Sequence, residues 1–412
     1  MLLRRNLSEH NRAIIIKLVL FFALFAVAVY LRTLDINRPL WADEIITLNT
    51  LSANWLSNPM LFGVTSNLPL FFYVFKAWGL LVDTNAVWQL RLLPMLFSLA
   101  TLAVWFFFIK RQWGFVSAFL FGVIFATAPL QVYYSLELRP YALVQFLLSL
   151  QMMVFYLYIQ SAERKYIWFL ALLSVFALLT HFCAYFFIFS QGLLAIYLYL
   201  KKRSESLRNT LPLYLFLAVF SFGIYKITLL NPNFIKSVDE LRVSTDKSFR
   251  VIPSDLVRLK ELFVMYYWYG LYYYRVDWIV QFVFKKIMLL VAAAAVYLLF
   301  KTKNTERHAL FRYSSVILLI TLLLTVLLEN LGFYPFGGRH VMPYSVFYYA
   351  LVIFAVSEIY KKFKLILFIP IMMVALFITF NLYSPCAANI SKVKPIVEIY
   401  KDCWWAVMDS NQ

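Results

Sequence analysis

The sequence predicts an all-α polytopic membrane protein with about 11 transmembrane helices, extracytoplasmic loops and one helix lying on the membrane surface. Three observations carry this. Hydrophobic residues are 63% of the chain and charged residues 14%, whereas a soluble domain is about half apolar and about a quarter charged. Aromatic residues reach 19%, which suits many membrane interfaces, where amphipathic rings settle. Apolar runs near the length of a membrane span recur along the chain, with Lys and Arg clustered between them.

The expected spans are 13–31, 91–109, 114–131, 141–160, 166–181, 182–200, 209–229, 279–300, 309–328, 341–358 and 364–380. Arg4, Arg5 and Arg12 precede the first. That run exceeds a signal-peptide core and more spans follow, so it reads as an uncleaved first span. With the N-terminus inside, every major cationic cluster falls on the cytoplasmic side: Lys110/Arg111, Arg164/Lys165, Lys201 to Arg208, Lys301 to Arg307 and Lys361 to Lys364. The apolar segment 68–82 is short and carries Lys76 at its middle. Counting it as a span would turn the next clusters outward, so it reads as a helix on the outer surface.

This gives one transmembrane domain, 1–380, with a first extracytoplasmic loop at 32–90 and a lid loop at 230–278, followed by a short outer tail, 381–412. The net charge of +18 follows from the cytoplasmic clusters; without a soluble basic domain it does not point to nucleic acid. The three cysteines form no C-x-x-C, so a zinc or redox motif is not indicated. Cys386 and Cys403 both fall in the outer tail, where a disulfide between them would persist.

Charged residues are scarce within the spans and collect at their outer ends instead. The first loop holds Trp41-Ala42-Asp43-Glu44, and the turn after the third span holds Tyr133-Tyr134-Ser135-Leu136-Glu137-Leu138-Arg139-Pro140-Tyr141. His181 ends the fifth span, and Arg339 and His340 precede the tenth. Each has an ordinary structural reading: adjacent acids as a solvated face, Glu137 and Arg139 as a local ion pair, His181 as a helix end, Arg91 snorkelling to headgroups. Convergence of acids, Arg and His from separate spans at one membrane depth favours a site.

Taken in order, Trp41 to Glu44, Arg91-Leu92-Leu93-Pro94, the stretch 133–143, Leu179-Thr180-His181-Phe182 and Arg339 to Pro343 resemble the GT-C membrane glycosyltransferases. The nearest branch is that of protein O-mannosyltransferases and the lipid A aminoarabinose transferase. The likeness covers residues 13–200 well and the rest loosely. Many members carry His-Pro-Pro-Leu where this chain has Asn67-Leu68-Pro69-Leu70, so this chain lacks that His and any metal ligand it would supply.

The resemblance implies a polyprenyl-phosphate-linked sugar as donor and a lipid, glycan or protein acceptor. It also implies one inverting displacement at the extracytoplasmic face, and the short loops without a large outer insertion point to a bacterial inner membrane. Asp43 is then the candidate general base. Glu44 orients it or faces water, and Glu137 holds the acceptor or a cation. Arg139, Arg339 and Arg91 are candidates for the donor phosphate, because a guanidinium pairs two oxygens at once. Tyr134, Tyr141, His181 and His340 are candidates for substrate contact. No cofactor is certain; a divalent cation held by Asp43, Glu137 and His181 is open. Two readings compete, a flippase or transporter of a lipid-linked sugar and a non-catalytic subunit of an envelope glycan complex. Neither the sugar nor the acceptor is legible.

Overall fold

The structure, a computed structural model, describes residues 2–52, 68–202, 208–229, 306–330 and 338–363. The expected spans 279–300 and 364–380, the lid loop 230–278, the tail with Cys386 and Cys403, and Asn67 lie outside the described residues.

The described residues fold into helices: α1 (Leu2–Thr33), α2 (Ala42–Asn49), α3 (Pro69–Gly79), α4 (Val87–Trp113), α5 (Phe115–Thr127), α6 (Pro129–Tyr134), α7 (Tyr141–Ser161), α8 (Arg164–Leu178), α9 (Cys183–Lys202), α10 (Leu211–Leu229), α11 (Glu306–Asn330) and α12 (Gly338–Phe363). By length and composition, Asn11–Thr33, Val87–Trp113, Tyr141–Ser161 and Cys183–Lys201 are able to cross a membrane. Phe115–Thr127, Leu211–Ile224, Phe311–Thr325 and Met342–Phe354 are shorter apolar segments.

The expected run 114–131 is interrupted. Pro129 lacks an N–H and crowds the residue before it, so Ala128 is extended (φ −61°, ψ 120°) and α6 starts afresh. Helix α3 occupies the segment expected as a surface helix. Its 11 residues reach about 16 Å, well short of the roughly 30 Å hydrocarbon layer.

Helix α7 is central and packs on α4, α8, α9, α11 and α12, while α5 is held between α1, α4 and α12. Trp105 of α4 stacks on Phe121 of α5 at 5.6 Å and meets Phe347 of α12 edge-on at 5.5 Å, joining three helices through one ring. Gly122 allows α1 and α5 their close approach, since a side chain there would run into Leu24. Polar ties cross the bundle: the amides of Gln151 and Gln191 pair, Tyr214 donates to Gln191 Oε1 at 2.7 Å, and Thr321 donates to Ser190 at 3.0 Å. The bundle's outside is apolar, with Ile15, Val19 and Phe22 of α1, Trp168 of α8, Val219 of α10 and Leu323 of α11 exposed. So much exposed apolar surface on an all-helical bundle identifies an integral membrane protein.

At one end of the bundle the C-terminus of α1, the first loop with α2, the start of α4, the α6–α7 turn, the α8–α9 turn and the start of α12 come together. Arg32 anchors α1 beneath this end, donating to the carbonyls of Ala28 and Ala126 and to Ser98.

Candidate active site

The site is built around Glu44. Helix α2 begins at Ala42, so Asp43 and Glu44 point apart by about 100°. Glu44 turns inward and is fully buried. Its Oε2 lies 2.9 Å from Nη2 of Arg91, also fully buried, and accepts the Trp41 backbone N–H at 3.3 Å. Its Oε1 accepts the Leu138 N–H at 3.0 Å. One carboxylate thus ties the first loop to α4 and to the 133–141 turn. The reading in which Glu44 faces water does not hold.

Arg91 is no headgroup-seeking arginine. Its Nη1 donates to the carbonyls of Ile36 and Arg38 at 2.9 and 2.6 Å, and its Nη2 donates to Pro39 at 3.3 Å besides Glu44. The four Nη hydrogens are therefore used in shaping residues 36–44.

Asp43 faces the other way and keeps 22% of its side chain exposed. Its Oδ2 lies 3.5 Å from Arg139 Nη2. Arg139 also donates to the Asp43 carbonyl at 3.2 Å and to Thr47 Oγ1 at 3.5 Å. Glu137, 1% exposed, is buried in the same turn. Asp43, like the more exposed Asp35, is thus an accessible acid of a cluster whose other acids, Glu44 and Glu137, are enclosed.

Arg38 belongs to this cluster and does not stand out in the sequence. Its guanidinium lies over the Tyr133 ring, 3.9 Å from the centroid, donates to the Tyr133 carbonyl at 3.4 Å and pairs with Asp35 at 3.8 Å. Burial alone would lower its pKa, but Tyr133, Glu44, Glu137 and Asp35 more than offset this and hold it above the ordinary value. The only sequence signal was an Arg five residues ahead of the loop acid.

A second group adjoins the first. Tyr134 meets Tyr141 at 5.4 Å and Tyr141 meets the His181 ring at 5.5 Å, and Tyr133 meets Tyr134 at 5.1 Å. A chain of rings therefore runs from Arg38 to His181. The His181 Nδ1 accepts the Cys183 backbone N–H at 3.0 Å. An amide can only donate, so the ring has its proton on Nε2. Tyr344 of α12 donates to the Cys183 carbonyl at 2.5 Å, and Leu68 and Leu70 donate to the carbonyls of Thr180 and Leu179 at 3.1 and 2.9 Å, bracing this turn from both sides. Arg339 and His340 open α12; their side chains lie outside the description. Met342, one turn further on, packs with Leu130, Tyr134 and Tyr141, so the start of α12 borders the site.

Asp43, Glu137 and His181, considered from sequence as ligands of a divalent ion, do not form a three-ligand group. Among the described residues no three His, Cys, Asp or Glu side chains gather to hold a metal. Asp43 is turned to Arg139 and Nδ1 of His181 to a backbone amide.

No protein-family model matches the chain, and no curated protein matches it by sequence. Solved structures do match. ArnT from Cupriavidus metallidurans in its apo state aligns with a TM-score of 0.52 at 17% identity, covering 83% of this chain and 61% of that one. The same protein bound to undecaprenyl phosphate aligns at 0.53 and 17%, covering 82% and 60%. The Archaeoglobus fulgidus oligosaccharyltransferase, in complex with Zn and sulfate, aligns at 0.53 and 14%, covering 90% and 53%. The chain spans about three-fifths of the length of the ArnT chains. At these identities the likeness is one of fold: the chain carries the fold that ArnT and the archaeal oligosaccharyltransferase have.

Proposed function

We propose that the chain is an inverting glycosyltransferase that moves a sugar from a polyprenyl-phosphate donor to an acceptor at the extracytoplasmic face of the membrane. The observation that carries this is the pair Asp43–Arg139: an accessible carboxylate 3.5 Å from a guanidinium, in a fold shared with a protein solved with undecaprenyl phosphate bound.

In this reading Asp43 takes the proton of the acceptor hydroxyl as that oxygen attacks the anomeric carbon. The bond to the donor phosphate breaks on the opposite face, and the phosphate leaves with its negative charge. Arg139, joined by Arg339 from α12, stabilises that charge through paired hydrogen bonds. A phosphate arriving at Arg139 draws the guanidinium from Asp43 and frees the carboxylate to act as base. A base of this kind contributes about 10²–10⁴ in rate. Glu44 and Arg91 hold the loop so that Asp43 stays where the acceptor must come. His181 offers its Nε2–H, with Tyr134 and Tyr141 beside it, as the wall against the sugar. No step requires a metal.

The topology that goes with this has about eleven spans, a cytoplasmic N-terminus, α3 on the outer surface, the 230–278 loop as lid, and a bacterial inner membrane as its place. The acceptor is a lipid, a glycan or a protein.

The test is to quantify polyprenyl-phosphate sugars by mass spectrometry in cells making the wild-type chain, Asp43→Asn at matched level, or none. Equal accumulation of one such lipid in the last two supports the transferase and names its sugar. Accumulation in the null but not with Asp43→Asn sinks Asp43 as base and favours a flippase or a non-catalytic subunit. No change in either strain removes the donor class.

A further inference from the structure

Beneath the Tyr134–Tyr141 pair lie two glutamines that none of the roles above uses. Gln131 of α6 stands three residues before Tyr134, and Gln145 of α7 four residues after Tyr141, so each lies one helical turn from its tyrosine on the same face. Both are fully buried. Both point their amide nitrogens at Ser345 of α12: Gln131 Nε2 at 2.6 Å and Gln145 Nε2 at 3.4 Å. Gln145 Nε2 also donates to the Met342 carbonyl at 2.9 Å.

The direction of these bonds is forced. A carbonyl only accepts, so Gln145 must present its nitrogen to Met342. The single hydroxyl hydrogen of Ser345 goes to the same carbonyl at 2.6 Å, so Ser345 can only accept from the two glutamines. Neither amide can be flipped without setting two acceptors against each other. The consequence is that both Oε1 atoms are buried with no hydrogen-bond partner. Each Oε1 lies about 2.2 Å from its own nitrogen by amide geometry, so both fall within a few ångströms of the same serine. Two buried carbonyl oxygens without a donor, near one serine in an apolar bundle, are costly unless a donor arrives.

We propose that Gln131 and Gln145 form a hydroxyl-recognition subsite: their Oε1 atoms accept O–H hydrogens from the sugar of the lipid-linked donor. This rests on the transferase reading and names where it distinguishes sugars. The subsite offers two carbonyl acceptors, with the second Nε2–H of Gln131 beside them. It takes a ring bearing free hydroxyls and rejects one whose matching positions are deoxy or O-alkylated. It sits on α6 and α7, the helices that carry Tyr134 and lead out of Arg139, so sugar recognition and phosphate contact share one turn of chain. A site built to hydrogen-bond a hydroxyl discriminates strongly against a ligand without it, because its own polar groups are then left unpaired.

The experiment uses the full chain in lipid nanodiscs and two probes: undecaprenyl phosphate, and the polyprenyl-phosphate sugar recovered and mass-identified from cells lacking the protein. Dissociation constants are measured for wild type, Gln131→Met, Gln145→Met and the double variant, with thermal stability read alongside; Met keeps side-chain length and volume. The expected result is that the sugar-bearing lipid binds about tenfold more weakly in each single variant and more weakly still in the double, while undecaprenyl phosphate changes less than about twofold and stability holds. Unchanged binding of both lipids overturns the proposal and leaves the oxygens to internal water only. Parallel weakening of both lipids with lowered stability also overturns it, because the glutamines then merely tie α6 and α7 to α12. A wild-type chain that binds neither lipid removes the transferase reading itself, and the subsite with it.

Discussion

The carboxylate of Glu44 and the guanidinium of Arg91 meet at 2.9 Å with neither side chain exposed. Taking one partner from such a pair leaves the other charge buried, at a cost of about 3–5 kcal/mol. Glu44→Gln is therefore expected to lower stability by that order, read by denaturant unfolding in detergent. Arg91→Met is expected to do the same, and it also strips the donor from the carbonyls of Ile36, Arg38 and Pro39. The double variant should fall short of the sum of the singles by about 0.5–3 kcal/mol. Strict additivity would mean that the two residues act separately. Asp43→Asn, by contrast, disturbs a partly exposed pair with Arg139 and should move stability by no more than about 1 kcal/mol.

That contrast marks what the sequence could and could not say. The stretches that meet at the site were legible as ordered motifs, and nine of the expected apolar runs are helical. The division of labour between Asp43 and Glu44 was not, because it is set by where α2 begins, and a helix sends consecutive residues in different directions. Arg38 was illegible for another reason. Before Pro39 it reads as an ordinary loop charge; its burial depends on Tyr133, 95 positions away, arriving beneath it. The break at Ala128 had its signal in Pro129, but the apolar run on either side masked it. The two glutamines were hidden because Gln inside a span reads as glue between helices, and only bond directions show which atoms are left over.

Arg38 and Tyr133 make the second prediction. A guanidinium 3.9 Å above a ring in a desolvated setting is worth about 2 kcal/mol. Tyr133→Leu should lose about that much stability, whereas Tyr133→Phe, which keeps the ring, should lose clearly less. Equal losses in the two variants would assign the effect to the hydroxyl.

Gly122 gives a test of how α1 seats on the bundle. A side chain at this position of α5 collides with Leu24 of α1, and forcing extra carbons into a packed interior costs about 1–3 kcal/mol. Gly122→Val should therefore lower the thermal midpoint, and adding Leu24→Ala should recover part of the loss, since the obstacle is the end of one flexible side chain. Failure of the second change to help would show that the two helices are held apart by something other than this contact.

His181 allows its two nitrogens to be tested separately. Its Nδ1 accepts the Cys183 N–H and thereby helps to start α9, while Nε2 carries the hydrogen assigned to the substrate. An Asn side chain reaches about as far as Nδ1 and a Gln side chain about as far as Nε2, and both amides offer an acceptor and donors. His181→Asn can preserve the bond to Cys183 but cannot reach the position of Nε2; it should fold with near wild-type stability and lose at least about tenfold in transfer rate. His181→Gln can restore a donor near Nε2 while weakening the link to Cys183; it should retain more activity than Asn but unfold at lower temperature. Activity that follows stability across both variants would make His181 a brace for the α8–α9 turn. Activity and stability that change in opposite order would separate its contact with substrate from its part in the fold.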